Sequence, residues 1–567
     1  METKQINNPY DNIVYPNNSS DNNVYTDNTG VARSASSTEK REDSIYTKRL
    51  KEHFPFFGLG SALYALFYTF CLYKNASGIT YPFFVIGTLC YFFFSMKKLG
   101  VPYKKDSAFY IISIVLLGIS NCVTNSEPLL LMNKCGIFLL TFILMIHTVY
   151  IDKSWNFPKY LGALIETIGT VIACIFRPFS DMVSYFDAQK QAKKSKKSYF
   201  MPVLIGIAIT IPILFIMTLL LASADAVFSN ILDNAFSAFH FSTIFSICFL
   251  MIVVFFCSYA VYAALSMKNI KEEVKNRRVL DPVIAIIVTA TLSVLYLIFS
   301  VIQILYLFIG NMQLPEGYTY SGYARQGFFQ LLVVCILNLL IVLVCLYLFR
   351  ENTALKVILT IISGCTFIMI LSSALRMLMY IDRYNLTFLR IFVLWSLAVI
   401  FLLMAGVTFF IYMNRFPLFT YSMVIVTVFY IGLSFAHPDY WIAKYNLHEM
   451  GYTHLDYMNE YEENGNRRYL SGLSADAAPI LLNEEKNQYM RTNIRVLGNV
   501  NAEDIIKNWN IVTEYEDIPN DTAEKLNDLA DELGWLHRYY DRIDNLSAKM
   551  HVRNFNFSVY TAGKYME

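Results

Sequence analysis

Charge is what this sequence has least of. Asp, Glu, Lys and Arg make up 16% of its 567 residues, while 55% are hydrophobic and the mean hydropathy is +0.41. An ordinary soluble domain carries about 25% charged residues, so the excess apolar surface here must face lipid. Motifs of enzymatic chemistry are also missing: there is no Walker A glycine loop, no HExxH, no GxSxG and no CxxC or other metal-ligand spacing. ATP coupling therefore has no support in this chain, no cofactor or metal is called for, and no catalytic residue can be assigned. Cysteine is absent after Phe435. The ten cysteines all fall in or beside apolar segments, which reads as small buried hydrophobes. No apolar run begins within the first 30 residues, so a cleaved signal peptide is not expected.

What is present is a series of apolar runs. Residues 1–50 are polar and rich in Asn and Ser, with too little apolar content to offset the entropy of ordering, and read as a disordered tail. Eleven candidate spans follow: Phe54–Tyr73, Gly78–Ser95, Ala108–Val123, Leu129–Tyr150, Pro202–Ala222, Ile244–Ser266, Pro282–Gly310, Phe328–Phe349, Val357–Tyr380, Ile391–Met413 and Pro417–Phe435. Most have the 18 or so uncharged residues needed to cross a hydrocarbon core about 30 Å thick. Residues 161–176 are apolar but short and carry Glu166, which suggests an interfacial or re-entrant helix. The expected organisation is a tail (1–50), a four-span segment with a basic loop (51–200), a seven-span core (201–436) and a C-terminal module (437–567). In the module Asp521 and Glu524 form a capping box ahead of leucines at helical spacing, and "FNFSVY" suits a strand or an irregular closing segment. The fold class is thus an all-α polytopic membrane protein of about 11 transmembrane helices with a small, mainly helical soluble module.

Charge distribution suggests orientation. The connections that share a side with the N-terminus hold 25 Lys and Arg, and the opposite set holds five: Lys74, Lys134, Arg325, Arg383 and Arg390. Cytoplasmic loops carry such an excess, so the N-terminus is expected inside and the C-terminus extracytoplasmic, in a bacterial plasma membrane. From His437 onward 13 basic residues face 22 acidic ones, a net of −9, against +11 for the first 436 residues. That balance lacks the concentrated basic surface that nucleic acid requires. The partners expected are the lipid bilayer and, beyond it, envelope proteins or lipid-linked molecules.

Few polar residues stand where they could act. In "LLLASADAVFSN", Asp225 follows the fifth expected span. It suits a helix N-cap; it also suits a site at an outer cavity mouth with Asp233 and His240. Tyr323 and Arg325 precede the eighth expected span as interfacial anchors or as a site for an anionic head group. Arg376 lies inside the ninth span, where a charge must snorkel or pair, with Tyr380, Tyr384 and Arg390 close by in sequence. These nine residues are the candidate polar cluster, with Asp225, Arg325 and Arg376 at its centre. Gln303 and Asn338 read as interhelical hydrogen-bonding groups.

Several segments carry a family likeness. "LLLASADAVF", "GYTYSGYARQGFFQLLVVCILNL", "MLMYIDRYNLTFLRIFVLW", "HPDYWIAKYNL", "YLSGLSADAAPILL" and "VRNFNFSVYTA" resemble, in that order, the bacterial multi-pass membrane proteins of the domain of unknown function 4173 family, over about Pro202 to Ala562. The stretch before "YLSGLSADA" is longer than the family pattern, and the N-terminal tail departs from it. The resemblance implies an integral membrane protein of Gram-positive bacteria with no assigned reaction. The readings that remain are a non-enzymatic membrane protein of envelope sensing, assembly or transport, a membrane-embedded enzyme acting on a lipid-linked substrate, and a secondary transporter.

Overall fold

A computed structural model describes residues 44–192, 241–267, 278–305, 328–452, 460–483 and 520–566, apart from 76, 151, 153, 154 and 156, with scattered positions between 210 and 228. These residues are mostly helical, with no strand among them beyond an isolated bridge between Leu280 and Phe349. In lipid every backbone N–H and C=O must be satisfied inside the chain, which a helix does by itself. A short helix α1 (Ile45–Glu52) precedes α2 (Phe54–Leu72), α3 (Thr80–Leu99), α4 (Ser107–Val123) and α5 (Glu127–Val149). Two helices, α6 (Phe157–Ala173) and α7 (Arg177–Ala192), come next. The second half of the bundle is α8 (Phe241–Ser266), α9 (Pro282–Gln303), α10 (Phe328–Leu348), α11 (Thr353–Tyr384), α12 (Phe388–Tyr412) and α13 (Leu418–Phe435). Nine of these helices among the described residues are long and apolar enough to cross a membrane.

Local sequence sets the boundaries. Proline occupies the first turn of α2, α5 and α9, where its missing N–H costs nothing. The Asp281 and Asn352 side chains cap α9 and α11 by accepting backbone N–H bonds. After Lys97 and Lys98, α3 stops at Gly100, which takes the left-handed conformation at φ 85°.

Hydrogen bonds between connections sort the helix termini into two ends. At one end Thr47 donates to the Ser266 carbonyl (3.1 Å), Arg49 to the Leu99 carbonyl (2.9 Å), and Lys104 to the carbonyls of His147 and Tyr150. The Leu280 N–H donates to the Leu348 carbonyl and the Arg350 N–H to the Leu280 carbonyl, which joins the start of α9 to the end of α10, and Glu351 collects Arg278, Lys356 and Asn414 beside them. The Tyr160 ring stacks on Phe419 at 3.9 Å and joins these groups. At the other end Thr80 donates to the Arg553 carbonyl, Thr124 to Asp476, and Asn446 bonds both Leu386 backbone groups. Successive spans therefore alternate. The 17-residue α4, too short by length alone, joins the same two ends as its neighbour α5.

Residues 161–176 do not cross. Tyr160 at the start of α6 bonds Asp152, and Cys174 and Arg177 at its far side meet Met267, so both ends of α6 lie at the basic end. The chain bends by 64° into α7, whose Tyr185 packs near Phe54. Leu161, Ile165 and Ile172 stay exposed on the outer face of α6 while Tyr160, Ala163 and Thr167 are buried, as in a helix lying along a membrane surface.

The C-terminal region packs on the opposite end as α14 (Pro438–Tyr452), α15 (Glu460–Ser471), a 3₁₀ turn at Ala475–Ala477, α16 (Ala478–Leu481), α17 (Asn520–Ala548), a second 3₁₀ turn at Val552–Asn554 and α18 (Phe557–Gly563). Its core includes Ile442, Leu470, Leu481, Trp535, Leu536 and Tyr539. The "FNFSVY" segment is thus the cap and first turn of a helix and not a strand: the Asn556 side chain accepts from the N–H groups of Ser558 and Val559 and starts α18. Helix α17 already includes Asn520, which puts Asp521 inside the helix instead of at the cap. The expected span Pro202–Ala222 falls largely outside the described residues.

Candidate functional site at the junction of bundle and module

Small residues let a carboxylate sink between the module and the bundle. Ala475, Ala477 and Ala478 are buried and flank Asp476, itself 6% exposed. Asp476 accepts from the Thr124 hydroxyl (2.5 Å) and the Asn125 N–H (3.1 Å) of the α4–α5 connection, and from the Ser558 hydroxyl at the start of α18. His437 Nδ1 lies 3.2 Å away, at the end of α13. Three parts of the chain, up to 352 positions from Asp476 in sequence, thus converge on one carboxylate. Asn556 closes the ring by donating to the Thr124 carbonyl at 2.9 Å.

A second carboxylate lies alongside. Asp439, 6% exposed, accepts from the Ser474 N–H at 3.2 Å, and Tyr539 donates to the Ser474 carbonyl at 2.7 Å. The electrostatics separate the two acids. Burial pushes Asp476 upward, but the hydrogen bonds from His437, Ser558 and Thr124 outweigh it and hold the carboxyl below its ordinary 3.8. Burial raises Asp439 above that value, with Asp476 adding to the effect. The hydrogen bond to Asp476 raises His437 above 6.5 although burial opposes it. The environment thus favours the charged forms of Asp476 and His437 and disfavours the charged form of Asp439.

His437 is held tightly. Its φ is +47°, a left-handed conformation unusual for a side-chain-bearing residue, and Pro438 behind it disfavours continuing the helix. Its side chain remains 35% exposed and lines a pocket of about 360 Å³ with Tyr440, Trp441, Phe557, Ser558 and Thr561. With Nδ1 tied to Asp476, Nε2 is the nitrogen left for a group entering the pocket. Such an imidazole can donate to an anion or a carbonyl, or relay a proton.

A hydrogen-bonded layer supports the junction from the bundle side. Asn133 of α5 accepts from Tyr430 (2.6 Å) and Ser434 (2.7 Å) of α13 and donates to Ser120 of α4 (3.2 Å). Thr124 and His437, each a few residues beyond this layer, are positioned by it.

Five of the nine residues of the polar cluster expected from sequence are described. Asp225 is exposed, and its Oδ1 accepts from the N–H groups of Val227 (2.7 Å) and Phe228 (3.1 Å), which is the geometry of a helix cap. Arg376 is buried and donates to Gln303 Oε1 at 3.1 Å, which also accepts from Ser372, so this charge is drawn into the α9–α11 contact. Tyr380, Tyr384 and Arg390 do come together: the rings are 4.9 Å apart, the guanidinium lies 4.3 Å from the Tyr380 ring, and Arg390 donates to the carbonyls of Tyr384 and Asn385. Asp233, His240, Tyr323 and Arg325 lie outside the described residues. Gln303 and Asn338 bridge helices as expected, Asn338 by donating to Thr366 at 3.0 Å. All ten cysteines are free thiols, six buried and four, such as Cys90 and Cys135, exposed on the apolar perimeter.

Sequence reasoning passed over His437, Asp439 and Asp476. They stand in "HPDYW" and "SADA", segments noted for their family likeness; the one chemical signal was a buried-type acid among alanines, and its hydroxyl partners Thr124 and Ser558 are 352 and 82 positions away.

Residues 111–484 match the model of a family described as Domain of unknown function (DUF4153). The chain belongs to this DUF4153 family. This corrects the resemblance drawn from sequence, since the domain of unknown function 4173 family is a different one. Neither a curated protein nor a solved structure matches the chain. The DUF4153 stretch contains Thr124, His437, Asp439 and Asp476, whereas Asn556 and Ser558 lie beyond it.

Proposed function

We propose that this DUF4153 chain is a multi-pass protein of the bacterial plasma membrane, with its N-terminus cytoplasmic and its C-terminal module outside, acting in envelope sensing or assembly. Its recognition site is the His437 pocket at the junction of module and bundle. The reading rests above all on Asp476, which ties the module to two separate parts of the bundle while orienting a histidine toward a pocket at the end of the spans. A ligand reaching His437 would act on the same contacts that hold the module down, which is the coupling a sensor needs. The orientation is supported by the clustering of basic connections at the end opposite the module. The test is complementation: a strain lacking the protein, supplied with His437→Gln, should respond to cell-wall stress like the unsupplemented strain. Full rescue by His437→Gln at normal membrane abundance would remove the site.

A second reading has one observation in its favour. A carboxylate bonded to one imidazole nitrogen with the other facing a pocket is how a general base is oriented, so the pocket also suits an enzyme acting on a lipid-linked substrate.

A further inference from the structure

A second cavity, of about 500 Å³, lies away from the junction, between α5 and α13. Leu117 of α4 and Trp395 of α12 form its floor, and Leu164 of α6 closes it at the basic end. Two tyrosines reach it, but both hydroxyls turn away: Tyr160 donates to Asp152, and Tyr430 to Asn133 at 2.6 Å. The groove therefore offers almost only carbon, and water inside would find no partners. Leu139 on α5 and Val426 on α13 line it and are still 48% and 39% exposed, so its mouth opens sideways on the apolar perimeter of the spans.

Length narrows the occupant. Met132 and Ile146 both line the groove, and the helix between them covers about 21 Å. One leaflet contributes roughly 15 Å of hydrocarbon to a bilayer core. A carbon-lined slot of this length, opening on the apolar perimeter of the spans, matches an extended hydrocarbon chain. We propose that it holds one acyl chain of a bilayer phospholipid as a fixed ligand, distinct from the exchanging lipid around the perimeter. The surface helix α6 grips that lipid where the chain reaches the basic end. Trp395, whose indole N–H donates to the Phe429 carbonyl at 2.9 Å, is held as a rigid floor.

Trp395 also reports on the site. The full-length protein would be exchanged into detergent with phospholipid carrying either plain or dibrominated acyl chains. The part of the tryptophan emission missing in Trp395→Phe should be quenched by the brominated chains. Native mass measurement should find one phospholipid retained after delipidation. Leu139→Phe with Val426→Phe, which narrows the mouth from lipid-facing positions without adding an indole, should abolish both signals. Leu131→Phe, on the same helix at a 65% exposed position outside the groove, should keep both. Absence of retained lipid in the unmodified protein overturns the proposal, and so does equal retention or quenching in the narrowed variant. Neither result bears on His437, which lies outside this groove.

Discussion

Asp476 is held below its ordinary carboxylate value in a place where burial alone would raise it, and the same contact raises His437. The signs follow from the direction of each shift. His437 is raised above 6.5, so its contribution is complete below that pH and is lost as pH rises through its folded value. Asp476 is depressed below 3.8, so its contribution is present above that pH and is lost as pH falls through its folded value. Asp439, raised by burial, costs more as pH climbs above 3.8 through its own folded value. The module should thus be most firmly docked in mildly acidic solution and loosen toward alkaline pH. Limited proteolysis at about pH 5.5 and about pH 8 tests this, with faster cleavage expected at the higher value and a flatter response in His437→Gln. Removing the carboxylate strands its donors, so Asp476→Ala should cost about 3 kcal/mol or more in thermal unfolding in detergent. A cost below about 1 kcal/mol would place the docking energy elsewhere.

At the scale of elements, the contacts that fix α6 and the module are few and specific. The Tyr160 hydroxyl bonds an Asp152 carboxylate that also meets His147 at 2.6 Å and Lys104 at 3.8 Å. Burial raises that carboxyl, but the His147 and Tyr160 hydrogen bonds prevail and hold it below 3.8. Tyr160→Phe keeps the stacking on Phe419 and deletes one charge-assisted bond, worth about 1.5–3 kcal/mol. Hydrogen exchange should quicken in α6 and not in the module. The α2–α3 connection docks against the C-terminal segment through Gly78, at φ +154°, where an added Cβ would sit 2.8 Å from the Asn554 backbone. Next to it, Ile79 N–H donates to the Phe555 carbonyl at 2.8 Å. Gly78→Ala should therefore raise protease sensitivity of residues 552–566 without changing the membrane content of the protein; unchanged sensitivity would mean the connection yields instead.

For the molecule as a whole, the hydrogen bonds place Lys104 and Arg350 at one end of the bundle and Asp476 and Arg553 at the other. If the basic end is cytoplasmic, Ser547→Cys should react with an impermeant thiol reagent in intact cells, and Lys105→Cys only after lysis, in a background where exposed native cysteines are replaced. The reverse pattern would invert the proposed orientation. The span count depends on the same geometry. Composition alone does not distinguish α6 from a short span, or α4 from a surface helix, because both are 17 residues long and apolar. What differs is where their termini are bonded.

The sequence by itself determined the class of the protein, because the hydrocarbon core sets the length and polarity of any segment that crosses it, and long uncharged runs have few other uses. It also marked Arg376 as a charge inside a span that must snorkel or pair, and offered a cap as one of two readings of Asp225, since a carboxylate before an amphipathic run bonds its nearest N–H groups. The site at Asp476 was decided only by the tertiary structure. A carboxylate's environment is the sum of what folds around it, and here that sum comes from Thr124, His437 and Ser558, which share no local pattern. The acyl groove was equally hidden: each of its residues reads as an ordinary apolar residue of a span, and only the spreading of α5 from α13 leaves space between them.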